Sequence, residues 1–437
     1  MNFMYYNISR LRERIYDKTL IELCRKNKKD FTRKRKIRPI DIIMFNINNR
    51  GKTLKMEMFD FINEYNINEV SSPAMLKQRE KLNENVFKEL NKESLKDFYN
   101  MFQNEVKTFK GHILCAIDGS DAEVPNTPET RERYQAKNSN NNERVARIKL
   151  SNCYDVLNKR VLDTEVEEYK HSEIDLAKKH INTVNEYTDK FPFIYTMDRG
   201  YFSLEMMYEL IKKDTKFVIR LNKNYLKTEQ TNMKSDDEIV EIMYQYDRIR
   251  NYKEKNPEFY EFYENGNRMK VRLVNIELPT GEVETLITNL SKEEFSLEDM
   301  KEIYRQRWGI EISYHKLKES MLITNISSSK DTIIKQEIYS HMMVYNIVES
   351  IAIETENQIN QDDYKYKMQV NFNMAIGFTK RALIKILIED DMDRREEMME
   401  KLCNNILKNI VPIRPNRHYD RKPDKKNKHS INKRKSF

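Results

Sequence analysis

Apolar positions recur at three-to-four spacing through residues 40–67 and 86–102, and the first hundred residues hold almost no Gly or Pro. That period predicts helices, so residues 1–105 are expected to form an N-terminal helical region. From Gly111 the texture changes to short apolar runs at 113–117, 145–156 and 161–166, the last two joined at Asn158-Lys159, a hairpin-turn pair. Three consecutive strands follow from this. A helical stretch (172–187), a strand (193–197), a helix (204–212) and a strand (217–221) come next. Strands interleaved with helices predict an α/β layer.

Residues 222–289 are polar and tyrosine-rich, with two strand-like runs, 271–278 and 284–288, around the turn Pro279-Thr280-Gly281. They are expected to form a β-rich insertion. After Ser296 the pattern is helical through Glu349, polar over 355–367, and helical again to about Ile410, where Pro412 and Pro415 are expected to end regular structure.

Composition narrows the function. The 437 residues are 39% hydrophobic, yet no apolar run approaches the roughly 18 residues of a membrane span, and the first residues carry charge where a signal peptide is apolar. A cytoplasmic protein with no membrane contact is expected. Four dispersed cysteines without a C-x-x-C pair read as buried thiols in a reducing compartment. Seven histidines show no H-E-x-x-H, and eight glycines form neither G-x-x-x-x-G-K nor G-x-G-x-x-G. Zinc proteases, P-loop NTPases and dinucleotide-binding dehydrogenases are therefore unsupported.

The net charge of +8 is unevenly placed. Residues 25–38 and 414–437 each carry +8, which leaves the remaining chain at −8. Two such blocks suit a polyanion such as nucleic acid.

Two aspartates end apolar strands: Asp118 in ILCAIDGSD and Asp198 in FIYTMDRGY. Each is expected to precede a turn, at the strand edge where an open α/β sheet binds ligands and metal ions. A third carboxylate lies in YRQRWGIEISYHKLK, where Tyr304, Arg307, Glu311 and Lys318 stand at i, i+3, i+7 and i+14. At about 100° per residue these share one face of a regular helix. Three carboxylates suit two-metal phosphoryl transfer, in which hard oxygen ligands hold Mg²⁺ or Mn²⁺ without His or Cys. Arg307 and Lys318 beside them would hold phosphates. Gly119, Gly200 and Gly309 each lie within two residues of a candidate carboxylate, where glycine permits a tight turn or the close approach of a nucleic-acid backbone.

At these residues the sequence resembles bacterial insertion-sequence transposases of the DDE type, the insertion-sequence-four family, whose signature Y-(2)-R-(3)-E-(6)-K is matched at all four positions. IDGSD, MDRGYF, LITNL, YRQRWGIE and PNRHYDRK look similar too, over about residues 113–422. The resemblance implies an α/β, ribonuclease H-like catalytic domain (106–222 and 291–355) interrupted by a β-rich insertion (223–290). Charge and order along the chain, rather than the resemblance, predict a helical region (1–105) around it that recognises the DNA ends through its cluster at 25–38, a C-terminal helical region (356–411) and a basic tail (412–437) that assists. The resemblance implies Asp118, Asp198 and Glu311 as catalytic metal ligands for two Mg²⁺ ions, replaceable by Mn²⁺, and Tyr304, Arg307 and Lys318 as DNA-phosphate contacts.

The activity implied is cut-and-paste transposition: binding of double-stranded DNA at terminal inverted repeats, cleavage by water, and attack of the freed 3′-OH on target DNA. A homodimer on paired ends and a nucleoid-associated location are expected. Asp121 and Glu123 are further candidates for the first ligand. Trp308, the single tryptophan, is expected to pack into the core, and a tyrosine from the insertion is the better candidate for stacking on a flipped base. Rival readings are a catalytically silent DNA-binding remnant or repressor, and a ribonuclease H-fold nuclease outside transposition.

Overall fold

The computed structural model describes residues 2–134, 145–242, 249–278 and 281–414. The basic tail from residue 415 with its PNRHYDRK run, and Pro279-Thr280 of the expected turn, lie outside them. The fold is α/β, built on an eight-stranded sheet in the order β3-β2-β1-β4-β5-β8-β7-β6. The strands are β1 (Ile113–Glu123), β2 (Arg147–Asp155), β3 (Arg160–Glu168), β4 (Phe193–Met197), β5 (Lys216–Leu221), β6 (Asp237–Ile242), β7 (Met269–Glu277) and β8 (Val283–Thr288).

β1, β4 and β5 run parallel at the centre, and all other pairings are antiparallel. The run β3-β2-β1-β4-β5, antiparallel as far as β1 and parallel from β1 to β5, agrees with the ribonuclease H-like domain that the resemblance implies. The hairpin turn between β2 and β3 falls at the expected pair, with Lys159 in the left-handed region at φ 56°.

Ile113–Ile117 is fully buried because both faces of the sheet are covered. Ile113, Cys115 and Ile117 enter one core with the helices Glu173–Val184, Leu204–Lys212 and Pro257–Glu264. Leu114 and Ala116 point the other way, into a core shared with the N-terminal and C-terminal helices. At the centre of that second core lies the 27-residue helix Asp331–Asn357, buried on nearly every side.

The helices before residue 105 do not stand apart. Met4, Ile42, Phe61 and Phe87 belong to the same core as Ile338 and Leu383, and the buried Arg79 guanidinium pairs with Glu337 of the long helix at 3.0 Å.

The insertion is not confined to a separate body either. β8 pairs with β5 from Val218↔Thr288 to Leu221↔Thr285 and carries β7 and β6 outward on the same sheet, covering what would otherwise be the open edge of β5. A short pair, Met368–Val370 with Ile410–Pro412, extends regular structure through Pro412, beyond the helical pattern of the sequence. All four cysteines are buried thiols. Among the described residues no helix is long and apolar enough to cross a membrane.

Candidate active site

β1 pairs with β4 in parallel from Ile113↔Phe193 to Ile117↔Met197. Asp118 and Asp198 are each the next residue, so the register alone brings both to one sheet edge. Asp118 Oδ1 accepts from the Gly119 N–H at 2.9 Å, and Asp198 Oδ1 from the Gly200 N–H at 2.8 Å. A turn does follow Asp198, the short helical turn Arg199–Tyr201. The turn expected after Asp118 is absent, because Gly119–Glu123 continues as strand, paired with Arg147–Ser151 of β2. Alternation then puts Asp121 and Glu123 on the opposite face from Asp118. Both are ion-paired to Arg147, at 2.7 and 3.1 Å.

Glu311 is delivered by the segment after Ser296. The helix Leu297–Gln306 opens on a Ser296–Asp299 capping box, breaks at Arg307-Trp308, resumes as Gly309–His315 and widens into a π-helical turn, Lys316–Ser320. The single regular face expected for Tyr304, Arg307, Glu311 and Lys318 is therefore interrupted. The segment is tied to the sheet instead: the Tyr314 hydroxyl donates to the Asp118 carbonyl at 2.8 Å and lies 3.2 Å from that of Leu150. A Cβ on Gly309 would stand 3.3 Å from Val156 Cβ. That glycine serves helix-to-sheet packing.

The structure brings part of the signature together. Arg307 is buried; its Nη2 donates to Glu311 Oε1 at 3.2 Å, and its guanidinium lies 5.4 Å from the centre of the Tyr304 ring. Tyr304 is also buried, so it backs the guanidinium. Lys318 Nζ is turned to β1, donating to Ser120 Oγ at 2.6 Å and to the Asp121 carbonyl at 2.9 Å. Trp308 is 45% exposed rather than in the core, because the break at 307–308 turns it outward while Ile310 takes the inward position.

The charges feel one another. Burial pushes the Asp118 carboxyl up to about 7; Asp198 and Glu311 add repulsion, while the Gly119 N–H and Arg307 oppose it. For Arg307, burial works against the charge, but Tyr304, Glu311, Asp118 and Asp198 outweigh it and raise the pKa. Burial lowers that of Lys318.

Among the described residues no group of three or more His, Cys, Asp or Glu is close enough to hold a metal ion; Glu311 rests in the grip of Arg307. The donor set nevertheless fits a hard divalent cation, being carboxylate only, with Asp198 and Glu311 both near enough to repel the buried Asp118 carboxylate.

Sequence reasoning missed Tyr314, Ser120, Tyr201, Lys149 and Glu173. Tyr201 and Tyr314 each follow a candidate carboxylate by three residues, which is a signal of sorts. Glu173, in the first turn of a helix, resembles any other acidic residue there.

The transposase DDE domain family matches residues 109–347 of this chain. A curated relative, the transposase InsG for insertion sequence element IS4 from Escherichia coli (strain K12), is 23% identical over 282 residues, or 63% of this chain. The chain spans 60% of that relative's length. A solved structure, the cryo-EM structure of a piggyBac transposase synaptic complex with hairpin DNA, aligns over 91% of this chain and 85% of its own, at TM-score 0.43 and 11% identity. The family match covers more than half of the chain, and the chain belongs to the transposase DDE domain family.

Proposed function

We propose that this protein is a DNA transposase that binds terminal inverted repeats, hydrolyses the phosphodiester at the element boundary and joins the freed 3′-OH to target DNA. The observation that carries the reading is the register of β1 and β4, which sets Asp118 and Asp198 side by side with Glu311 within electrostatic reach. These three residues would hold the divalent cations, Mg²⁺ or Mn²⁺, which when bound supply charge stabilisation of the attacking and leaving oxygens.

The protein's own groups do the rest. Arg307 lies between Glu311 and the Tyr304 ring, where its guanidinium would hold a scissile-end phosphate. Lys318, fixed to Ser120 and the Asp121 carbonyl, adds a positive charge at the same edge. The exposed Trp308 offers a face on which a base displaced from the duplex stacks.

End recognition is assigned to the loop 25–38. Lys28, Lys29, Arg33, Lys34, Arg35 and Lys36 are exposed there, with no ion pair among the described residues. A homodimer on paired ends supplies the two active sites that two ends require. A DNA-binding protein that does not cut is the second reading, favoured by the hold of Arg307 on Glu311.

Metal-dependent cutting of a duplex carrying the inverted repeat separates the two. Because the first hundred residues share the main core, charge removal at Arg33–Lys36 tests end binding better than truncation does.

A further inference from the structure

The two glycines that follow the paired aspartates make room for a carboxylate that belongs to neither strand. A Cβ on Gly119 would stand 3.0 Å from Glu173 Oε1 and 3.6 Å from the Tyr201 hydroxyl oxygen. One on Gly200 would stand 3.1 Å from Asp198 Oδ1 and 3.8 Å from Glu173 Oε2. Glu173 thus lays one oxygen against each glycine.

Lys149 Nζ holds Oε1 at 2.8 Å, while Oε2, on the Asp198 side, has no partner among the described residues. The side chain remains 39% exposed, so it borders the open edge of the sheet. The Tyr201 hydroxyl reaches the same gap. Tyr201 is 1% exposed and its hydroxyl has no hydrogen-bond partner among the described residues, an arrangement that costs free energy unless something arrives to satisfy it.

We propose that Glu173 and Tyr201 receive the hydration water of a divalent cation held at Asp198, the carboxylate and the phenolic oxygen each accepting a hydrogen bond from that water. Mg²⁺ dehydrates reluctantly and keeps several waters in protein sites, and those waters need acceptors. Lys149 keeps the carboxylate ionised and aimed. The inference rests on the proposed metal-dependent reading of Asp118, Asp198 and Glu311, and extends it to residues outside that set.

The test is Mn²⁺ binding to the full chain without DNA, followed by isothermal titration and by loss of the free-ion electron paramagnetic resonance signal. The wild type is compared with Glu173→Gln, Tyr201→Phe and Gly119→Ala, the last of which pushes the Glu173 carboxylate aside. Circular dichroism and melting check that each is folded. Groups that orient bound ligands typically contribute roughly 10-fold or more to metal affinity, so Glu173→Gln is expected to weaken Mn²⁺ binding by at least that factor, and the other two measurably. Folded variants that all bind within twofold of the wild type would overturn the inference. If in addition Asp198→Asn abolishes binding, the three-carboxylate reading survives without it; a wild type that binds no Mn²⁺ would overturn both.

Discussion

The Tyr314 hydroxyl donates to the backbone carbonyl of Asp118 across 2.8 Å, joining the helix that carries Glu311 to the strand that carries the first aspartate. Two candidate ligands nearly two hundred residues apart in sequence thereby share one fixed frame. Tyr314→Phe removes only the hydroxyl, so the expected loss of stability is about 1–2 kcal/mol, the cost of buried carbonyls left without their donor. Cleavage should fall by a larger factor than this loss explains, because the frame of Glu311 loosens. Melting curves and cleavage rates on the same preparation check both.

Gly309 is a packing residue. Alanine in a helix gains about 1 kcal/mol over glycine, but here its Cβ would meet Val156 Cβ at 3.3 Å and Cγ1 at 3.4 Å, and overpacking costs about 1–3 kcal/mol. Gly309→Ala should therefore be destabilising, by about 1 kcal/mol. Adding Val156→Ala removes the obstacle, so a double-mutant cycle in urea should show positive coupling between the two positions. Additive effects would refute the contact.

Arg79 and Glu337 form a buried pair at 3.0 Å, with Asn46 also accepting from Arg79 at 2.8 Å. The pair fastens the N-terminal helices to the 27-residue helix. Glu337→Gln leaves a buried cation short of its counter-charge, and a loss of about 3–5 kcal/mol is expected. Replacing Arg79 by Met and Glu337 by Leu together should recover much of it, as equilibrium unfolding would reveal.

Lys380 is buried with Nζ donating to the Asn49 carbonyl at 2.7 Å, and burial lowers its pKa from 10.5 to about 8. The folded state thus releases this proton more readily than the unfolded one. Below pH 8 both states are protonated and the cost of the buried charge, about 3 kcal/mol, is fully present. Between pH 8 and 10.5 the unfolded chain holds a proton the folded one lacks, so this contribution to stability rises with pH. Lys380→Met should accordingly be the more stable protein at pH 7, with the gap closing toward pH 10. A constant gap across that range would contradict the assignment.

Much of this architecture was legible because it is written locally. The continuous apolar runs 113–117 and 193–197 and the apolar runs before and after Asn158-Lys159 define their own strands, and Asp118 and Asp198 directly follow the first two runs. What could not be read depends on distant partners. Gly119-Ser120-Asp121 has turn composition, yet stays extended because β2 pairs with it. The pairing of Val218 with Thr288 spans seventy residues, so nothing local announces that the insertion joins the main sheet. The break at Arg307-Trp308 follows no Pro, and the helical period runs through it; only the packing of Gly309 on Val156 and Tyr154 and the π turn beyond reveal how the segment bends. Glu173 is invisible for the same reason, since its neighbours Gly119 and Gly200 come from two other elements.

Cleavage of a labelled inverted-repeat duplex in Mg²⁺ or Mn²⁺ tests the central claim most directly, with the wild type set against Asp118→Asn, Asp198→Asn and Glu311→Gln. The account predicts cutting at the element boundary by the wild type, and loss of at least a thousandfold in rate for each substitution, about 4 kcal/mol of transition-state stabilisation, with binding of the ends retained. Ends that are bound but not cut by the wild type, or cutting that persists in the three variants, would contradict it.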